Sequence, residues 1–361
     1  MLGYCTNVHR GDRFQSVVEN IASFSKNIQE LVSEQVGLGL WLSDQASREV
    51  DLEKLRDVLN ESEITVFTMN GFPYSNFHKD VVHHDVYHPN WTEDRRLDYT
   101  LRLAKILSEL IDEGSDAGIS TLPLGWNSDD FSNEDAAAML KKCIDQLEEV
   151  EQQSGRCIHI DLEAEPGCRL QRASELGTFI NQHFGDDERA RRYIRVCHDT
   201  CHSAVMHETA EEAVSHYINA GLSIGKVQLS SAIEVDFNAQ HNPDIIKDLQ
   251  SIAEPRYLHQ TTIVNGDQLQ FNENLADVSL NNPSGLWRIH FHVPIHLQQF
   301  GSLQTTQHDL KHSIPILKQA GTTSWEVETY TWSVMPTALQ QDELVDSIAK
   351  ELAWAATNIN T

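Results

Sequence analysis

The sequence predicts an α/β fold, a (β/α)8 TIM barrel, and three observations carry that expectation. Short apolar runs alternate with amphipathic segments from end to end. The chain has 361 residues, enough for a barrel with insertions, and 40% of them are hydrophobic, enough for its core. Several of the apolar runs place acids and imidazoles at every second position, as strands with one polar face would.

The strand-like runs, in order, are LGYCTN, VGLGLWLS, EITVFTMNG, GISTLPLGW, CIHIDLEAE, YIRVCHD, GKVQLSSA and TSWEVETYTW. Between them lie segments with helical periodicity, such as DLEKLRDVLN, RRLDYTLRLAKILSELIDE, DAAAMLKKCIDQLEEVEQQ and AEEAVSHYINAG. A strand followed by a helix, repeated about eight times, gives a parallel sheet with helical crossovers, and eight such units close into a barrel. Gly221 and Gly321 read as helix C-caps before strands.

Two regions break the rhythm. The loop from Gly71 to Trp91 is rich in histidine and aromatic residues and follows the third strand, so it is expected over the barrel mouth, as a lid or as an ordered surface loop. From about Glu254 to Phe300, TTIVNGDQLQFNE reads as a hairpin about Asn265-Gly266 and leads into the strand-like LWRIHFHV. This is an expected insertion between strands seven and eight. No Pro/Ser/Gly linker flanks it, so residues 1–361 read as a single domain.

Strand parity points to a site. In CIHIDLEAE, Ile158, Ile160, Leu162 and Ala164 share one face, and His159, Asp161, Glu163 and Glu165 share the other. The outer face of a barrel packs on helices, so the polar set faces in. The same test turns Lys226, Gln228 and Ser230 inward, and likewise Glu326, Glu328 and Tyr330, Arg288, His290 and His292, and Arg195, Cys197 and Asp199. Unpaired buried carboxylates are costly, and a bound divalent cation neutralises them. Barrel sites form at the C-terminal ends of strands, which singles out Glu163 or Glu165, Asp199, Gln228 and Glu328, with His202 just past strand six.

The formal net charge of −27, without a basic stripe, argues against nucleic acid and anionic lipid as partners. No apolar run approaches a membrane span, and no signal-like segment follows Met1. Six scattered cysteines without a CxxC pair fit free thiols in a reducing cytoplasm. Cys197 and Cys201 stand at CxxxC, which is not a thioredoxin-type spacing.

At these positions the sequence resembles the xylose-isomerase-like barrel superfamily of sugar isomerases and epimerases, which also holds endonuclease IV. Asp199-Thr200-Cys201-His202 resembles its sixth-strand Asp-Thr-x-His motif, LEAEPGC its fifth-strand glutamate with Glu163 the preferred match, and EVETY its eighth-strand glutamate at Glu328. Gln228 stands where the resemblance implies a histidine. The implied metal set is Glu163, Asp199, Gln228 and Glu328, with His290 and His292 adding nitrogen from the insertion, and Mn, Mg, Zn or Co as the ion. Motifs spread over the chain, among them GYCTNVHRG, VCHDTCHSAV, RIHFHVPIH and EVETYTW, are similar to the EboE family of metabolite traffic proteins. That resemblance implies movement of a small-molecule precursor, with partners encoded in the same operon.

The expected activity is a metal-dependent isomerisation or epimerisation of a small hydroxylated metabolite. Glu163 and Glu328 would remove and return a proton, and His202 would orient a hydroxyl. Asn7, His9, His88, Glu165, His202 and Arg288 are the expected substrate contacts. Arg288 would grip an anionic group or serve as a salt-bridge partner. The alternatives are metal-assisted phosphoester hydrolysis and a metabolite binder without turnover.

Overall fold

Eight parallel strands close on themselves in the computed structural model, which describes residues 1–185, 187–239 and 242–361. They are Leu2–Cys5, Gly37–Trp41, Thr65–Asn70, Asp116–Thr121, Cys157–Glu163, Ile194–Asp199, Ile224–Leu229 and Trp325–Val327, one in each of the eight runs quoted above. Each pairs with its neighbour in the chain, and the eighth bonds both the seventh and the first. Amphipathic helices cover the outside, among them Leu52–Glu61, Asp94–Ser108, Asn133–Ser154 and Ala210–Asn219. Their starts are fixed by side-chain caps: Asp51 accepts from the Lys54 amide, Ser132 from Asp135, and Thr209 forms a capping box with Glu212. Gly221 and Gly321 follow helix ends with φ of +69° and +95°, the left-handed conformation that ends a helix.

The parity of the strands has the expected consequence. Ile158, Ile160 and Leu162 are buried in the main apolar core under the helices. The barrel interior holds charge in place of the usual branched aliphatic layers. His159 Nδ1 lies 2.6 Å from Asp161 Oδ1, and Lys226 Nζ lies 2.6 Å from Glu326 Oε2, with all four side chains buried. Glycines on neighbouring strands make the room. A Cβ at Gly118 or Gly225 would fall within 1.8 or 2.0 Å of an Asp161 oxygen, and one at Gly39 within 1.4 Å of Glu326 Oε1.

A second, antiparallel sheet lies in sequence between the seventh and eighth barrel strands. Its order is Gln268–Asn272, Thr261–Asn265, Leu286–Val293, Ser231–Asp236, Leu303–Thr305, Gln299–Phe300. It begins at Ser231, earlier than the expected Glu254, because the single run VQLSSAIEV contains two strands separated only by Ser230. The hairpin turn also moves by one residue. Asn265 pairs with Gln268, so the two turn residues are Gly266 and Asp267, with Gly266 at φ +58°. The sheet carries its own apolar cluster, including Ile233, Ile245, Leu249, Trp287 and Phe291. Along Leu286–Val293 the apolar residues Ile289, Phe291 and Val293 face that cluster, which leaves His290 and His292 on the face toward the barrel.

The final helix, Leu344–Asn360, fastens this arrangement from outside. Its buried Glu351 accepts hydrogen bonds from Thr329 Oγ1 at 2.7 Å and from the Ile295 amide at 3.1 Å. Burial pushes its carboxyl up from the ordinary 4.5 to about 7. The folded state therefore keeps this proton over a range in which the unfolded chain has lost it. The resulting stabilisation is fully present below pH 4.5 and is lost as pH rises through about 7. Denaturant melts at about pH 5 and about pH 8 should show a drop of roughly 2–3 kcal/mol from this group, and Glu351→Gln should remove it. An unchanged pH slope in the variant would contradict the assignment.

Candidate metal centre

The ends of four barrel strands bring oxygen-bearing side chains to one point. Glu163 closes the fifth strand, Asp199 the sixth, Gln228 lies in the seventh, and Glu328 follows the eighth. Carboxylate oxygens of Glu163, Asp199 and Glu328 lie within 4.8 Å of one another, and all three residues are buried. Asp199 also caps the short helix Thr200–Val205, accepting from the His202 amide at 2.9 Å, and it accepts from Ser230 Oγ at 2.7 Å. Glu328 Oε1 accepts from Asn7 Nδ2 at 2.8 Å and from Asn70 Nδ2 at 3.1 Å. The Gln228 amide, turned with its nitrogen toward the acids, donates to Glu163 at 2.8 Å and to Asp199 at 3.2 Å.

The electrostatics of the cluster are those of acids held close together away from water. Burial, then the neighbouring carboxylates, push Glu163 and Glu328 well above the usual carboxylate range. Burial acts the same way on Asp199, but His202, His292 and the capping bonds outweigh it and hold its pKa below the ordinary value. Three buried acids with an amide at the edge of the set form a hard oxygen cage, and they fit a divalent ion. The Gln228 contacts of 2.8 and 3.2 Å match the spacing of about 3 Å between neighbouring ligands around a cation bonded at about 2.1 Å. With an ion present, the amide would turn its oxygen inward.

Three histidines stand beside this cage. His202 Nε2 and His292 Nε2 each lie 3.1 Å from His290 Nε2. His202 Nδ1 is 3.1 Å from the Ala164 carbonyl and 3.5 Å from Glu163 Oε1. His292 Nδ1 lies 2.7 Å from the Glu328 carbonyl. Burial lowers the pKa of His202 to about 4 and that of His290 well below the usual imidazole range. Burial lowers the pKa of His292 as well, against the pull of Asp199.

Above the acids is a cavity of about 60 Å³. Its floor includes Asn7, Glu163, Glu165, His202, His290 and Glu328, and its walls are apolar and aromatic: Phe72, Phe77, Val82, Tyr257, Leu258 and Tyr330. Tyr87 donates to Glu165 at 2.9 Å, and burial raises the Glu165 carboxyl to about 8. The loop from Gly71 to Trp91 forms one wall. It is clasped to the insertion by a Val82 amide bond to the Arg256 carbonyl at 2.7 Å and a Tyr257 hydroxyl bond to the Phe77 carbonyl at 3.0 Å.

Of the expected substrate contacts, Asn7, Glu165 and His202 line this cavity, and His9, His88 and Arg288 do not. The short 3-10 turn Thr6–Val8 ends strand alternation before His9, whose ring lies 3.0 Å from the Tyr4 hydroxyl and stacks on Phe24. His88 is half exposed beside Glu93 and Asp129. Arg288 is a salt-bridge residue: its guanidinium meets Glu234 at 2.8 Å and Asp309 at 2.7 Å, and it donates to the Ala204 carbonyl. A β-bulge between Ile289 and Val293 separates its part of the strand from the histidines that reach the mouth. Asn70 and Gln260 were not anticipated as site residues. Asn70 ends the third strand, a position that barrel architecture marks, whereas Gln260 lies in the insertion with no periodic signal around it.

No family model matches the chain, and no curated protein matches its sequence. Solved structures do match over nearly its whole length. A xylose isomerase-like TIM barrel protein from Mycobacterium smegmatis, in complex with magnesium, aligns with 99% of this chain and 96% of its own at 9% identity and a TM-score of 0.55. The fold is that of the xylose-isomerase-like TIM barrels. A D-allulose 3-epimerase from Methylomonas sp., in complex with D-allulose, aligns over 99% and 96% at 11% identity and a TM-score of 0.51. The IOLI protein with a bound zinc atom aligns over 99% and 98% at 10% identity and 0.52. Among the described residues, no helix is long and apolar enough to cross a membrane.

Proposed function

We propose that the protein is a divalent-metal-dependent isomerase or epimerase that moves a proton on a small hydroxylated metabolite. The observation that carries this reading is the convergence of Glu163, Asp199 and Glu328, from three strands, at the floor of a walled cavity. Glu163, Asp199, Gln228 and Glu328 would hold the ion. A divalent cation there would supply an electrophile for the oxygens of a hydroxy-carbonyl compound and so acidify the neighbouring C–H bond. Glu163 and Glu328 would take the proton on one side and return it on the other, and their raised pKa values suit carboxyls that must carry one. His202, on the cavity floor, would orient a substrate hydroxyl.

The cavity also limits the substrate. No lysine or arginine is among its lining residues, so no permanent positive side chain awaits a phosphate. Asn7 Oδ1 and His83 Nε2, both in lining residues, are buried without a hydrogen-bond partner among the described residues and offer polar contacts to a bound molecule. Aromatic walls above a polar floor favour a neutral polyol or hydroxy-ketone with an apolar face. The D-allulose and magnesium carried by structures of like fold support this class. The oxygen cage favours magnesium or manganese over zinc. The buried free cysteines support a reducing, cytoplasmic setting. The EboE-like motifs extend the proposal to a step in metabolite precursor traffic, shared with proteins of the same operon.

The test is solvent exchange. The manganese-loaded protein in D2O, offered neutral hydroxy-ketones, should place deuterium on the carbon beside the carbonyl, read by mass spectrometry. If no compound of this class exchanges above a metal-stripped control, the proton-transfer reading falls.

A further inference from the structure

We propose that the substrate is an α-hydroxy ketone carrying an aromatic ring, and that the walls of the cavity select it over a free sugar. Its head group, a carbonyl beside a hydroxyl, rests on the proton-transfer reading, whereas its apolar body follows from where the polar atoms of the walls are already engaged. Three tyrosines line the cavity, and each turns its hydroxyl to the protein. Tyr87 donates to Glu165 at 2.9 Å, Tyr257 donates to the Phe77 carbonyl at 3.0 Å, and the Tyr330 hydroxyl lies 3.4 Å from His290 Nε2. The main chain of the loop is engaged as well. The Phe72 carbonyl accepts from Arg96 at 3.1 Å and the Pro73 carbonyl from Trp41 Nε1 at 2.9 Å, while the Val82 and His83 amides both donate to the Arg256 carbonyl. Asn70 accepts from the Phe72 amide and donates to Glu328. These bonds leave ring faces and side-chain carbon toward the cavity. The Phe77 ring centroid stands 5.0 Å from that of Tyr257 and 5.2 Å from that of Tyr330, and the two tyrosine rings are 5.1 Å apart. Val82 and Val86 pack beside this three-ring wall.

A sugar can lay a C–H face on such rings, but its hydroxyls need partners, and each one buried without a partner weakens binding. Two lining atoms are buried without a hydrogen-bond partner among the described residues, Asn7 Oδ1 and His83 Nε2. Asn7 holds Glu328 through its amide nitrogen, which places its oxygen beside the acids and the head group. His83 is then left to serve the rest of the molecule. An aromatic ring asks for no hydrogen bond, and it would add a fourth ring to the three in the edge or offset contacts that aromatic groups favour. The size agrees. A space of about 60 Å³, at about 10–15 Å³ for each water, holds on the order of four to six waters, each taking about 30 Å³ of liquid. That is room for one ring and a short oxygenated arm.

Calorimetry on the manganese-loaded full-length protein, with 2-hydroxyacetophenone, dihydroxyacetone and D-allulose as probes, tests this selection. The aromatic ketone should bind at least about tenfold more tightly than either of the others, the lower factor for burying a phenyl-sized group. Phe77→Ala should erase most of that ratio and leave the dihydroxyacetone affinity unchanged. Val82→Thr, which keeps the shape and adds a hydroxyl, should lower the ratio by favouring the sugar. Thermal melting checks that each variant folds, and the comparison in the parent protein stands without them. If the parent binds dihydroxyacetone or D-allulose as tightly as 2-hydroxyacetophenone, or binds none of the three, the substrate class is overturned. An undiminished ratio in both folded variants overturns it too. Deuterium exchange separates this class from the reaction. Tight binding of the aromatic ketone without exchange keeps the class and removes the proton transfer, whereas exchange on a sugar that binds best keeps the proton transfer and removes the class.

Discussion

Glu328→Gln is expected to reduce turnover by about 10²–10⁴-fold or more, the range assigned to a positioned acid–base group, while raising the melting temperature of the metal-free protein. The two effects share one cause. Glu328 is buried beside Asp199 and Glu163, and without a cation the burial and the like charges oppose its ionisation. A carboxamide relieves that repulsion and still accepts the Asn7 and Asn70 bonds, both of which go to one oxygen. The gain should be about 1–2 kcal/mol near neutral pH. The same change removes an anionic ligand, so added manganese should stabilise the variant much less than the parent. Thermal melts with chelator and with manganese, beside the exchange assay, measure all three quantities. A variant that melts lower without metal, or keeps the full manganese shift, would show that Glu328 is an ordinary structural acid.

The barrel was legible because its strands and helices obey two different periods. CIHIDLEAE and GKVQLS each declare an inner and an outer face, and the helix runs declare a stripe. The convergence of Glu163, Asp199 and Glu328 follows from parity together with the rule that sites sit at strand ends. Legibility ended where a local pattern changes meaning without changing appearance. VQLSSAIEV looks like one strand, and it passes from one sheet into another at Ser230. Arg288 has the parity of His290, but a bulge and a different neighbourhood deliver it to Glu234 and Asp309. His9 lies just beyond the 3-10 turn that ends alternation. Gln260, which orients His290, has a role set only by contacts about 30 and 94 residues away in sequence. No window of sequence contains such partners.

Lys226→Met is expected to cost about 3–5 kcal/mol of stability, the range for breaking a buried ion pair from one side. Lys226 Nζ and Glu326 Oε2 are both fully buried inside the barrel, 2.6 Å apart on adjacent strands, and Glu326 Oε1 has no hydrogen-bond partner among the described residues. Burial opposes the Lys226 charge, yet the nearby Glu326 outweighs it and holds the ammonium pKa above its ordinary value. With the lysine gone, Glu326 must stay as an uncompensated charge or take up a proton in a space without a partner. The double variant Lys226→Met/Glu326→Gln should recover a large part of the loss, because it removes the stranded charge. Lys226 also favours the charged forms of Glu163 and Glu328 above it, so the single variant should bind manganese more weakly at neutral pH. Urea melts of the single and double variants separate the two effects. A single variant within about 1 kcal/mol of the parent would mean that water reaches the barrel interior, and the closed, charge-filled layer beneath the candidate metal centre would have to be abandoned.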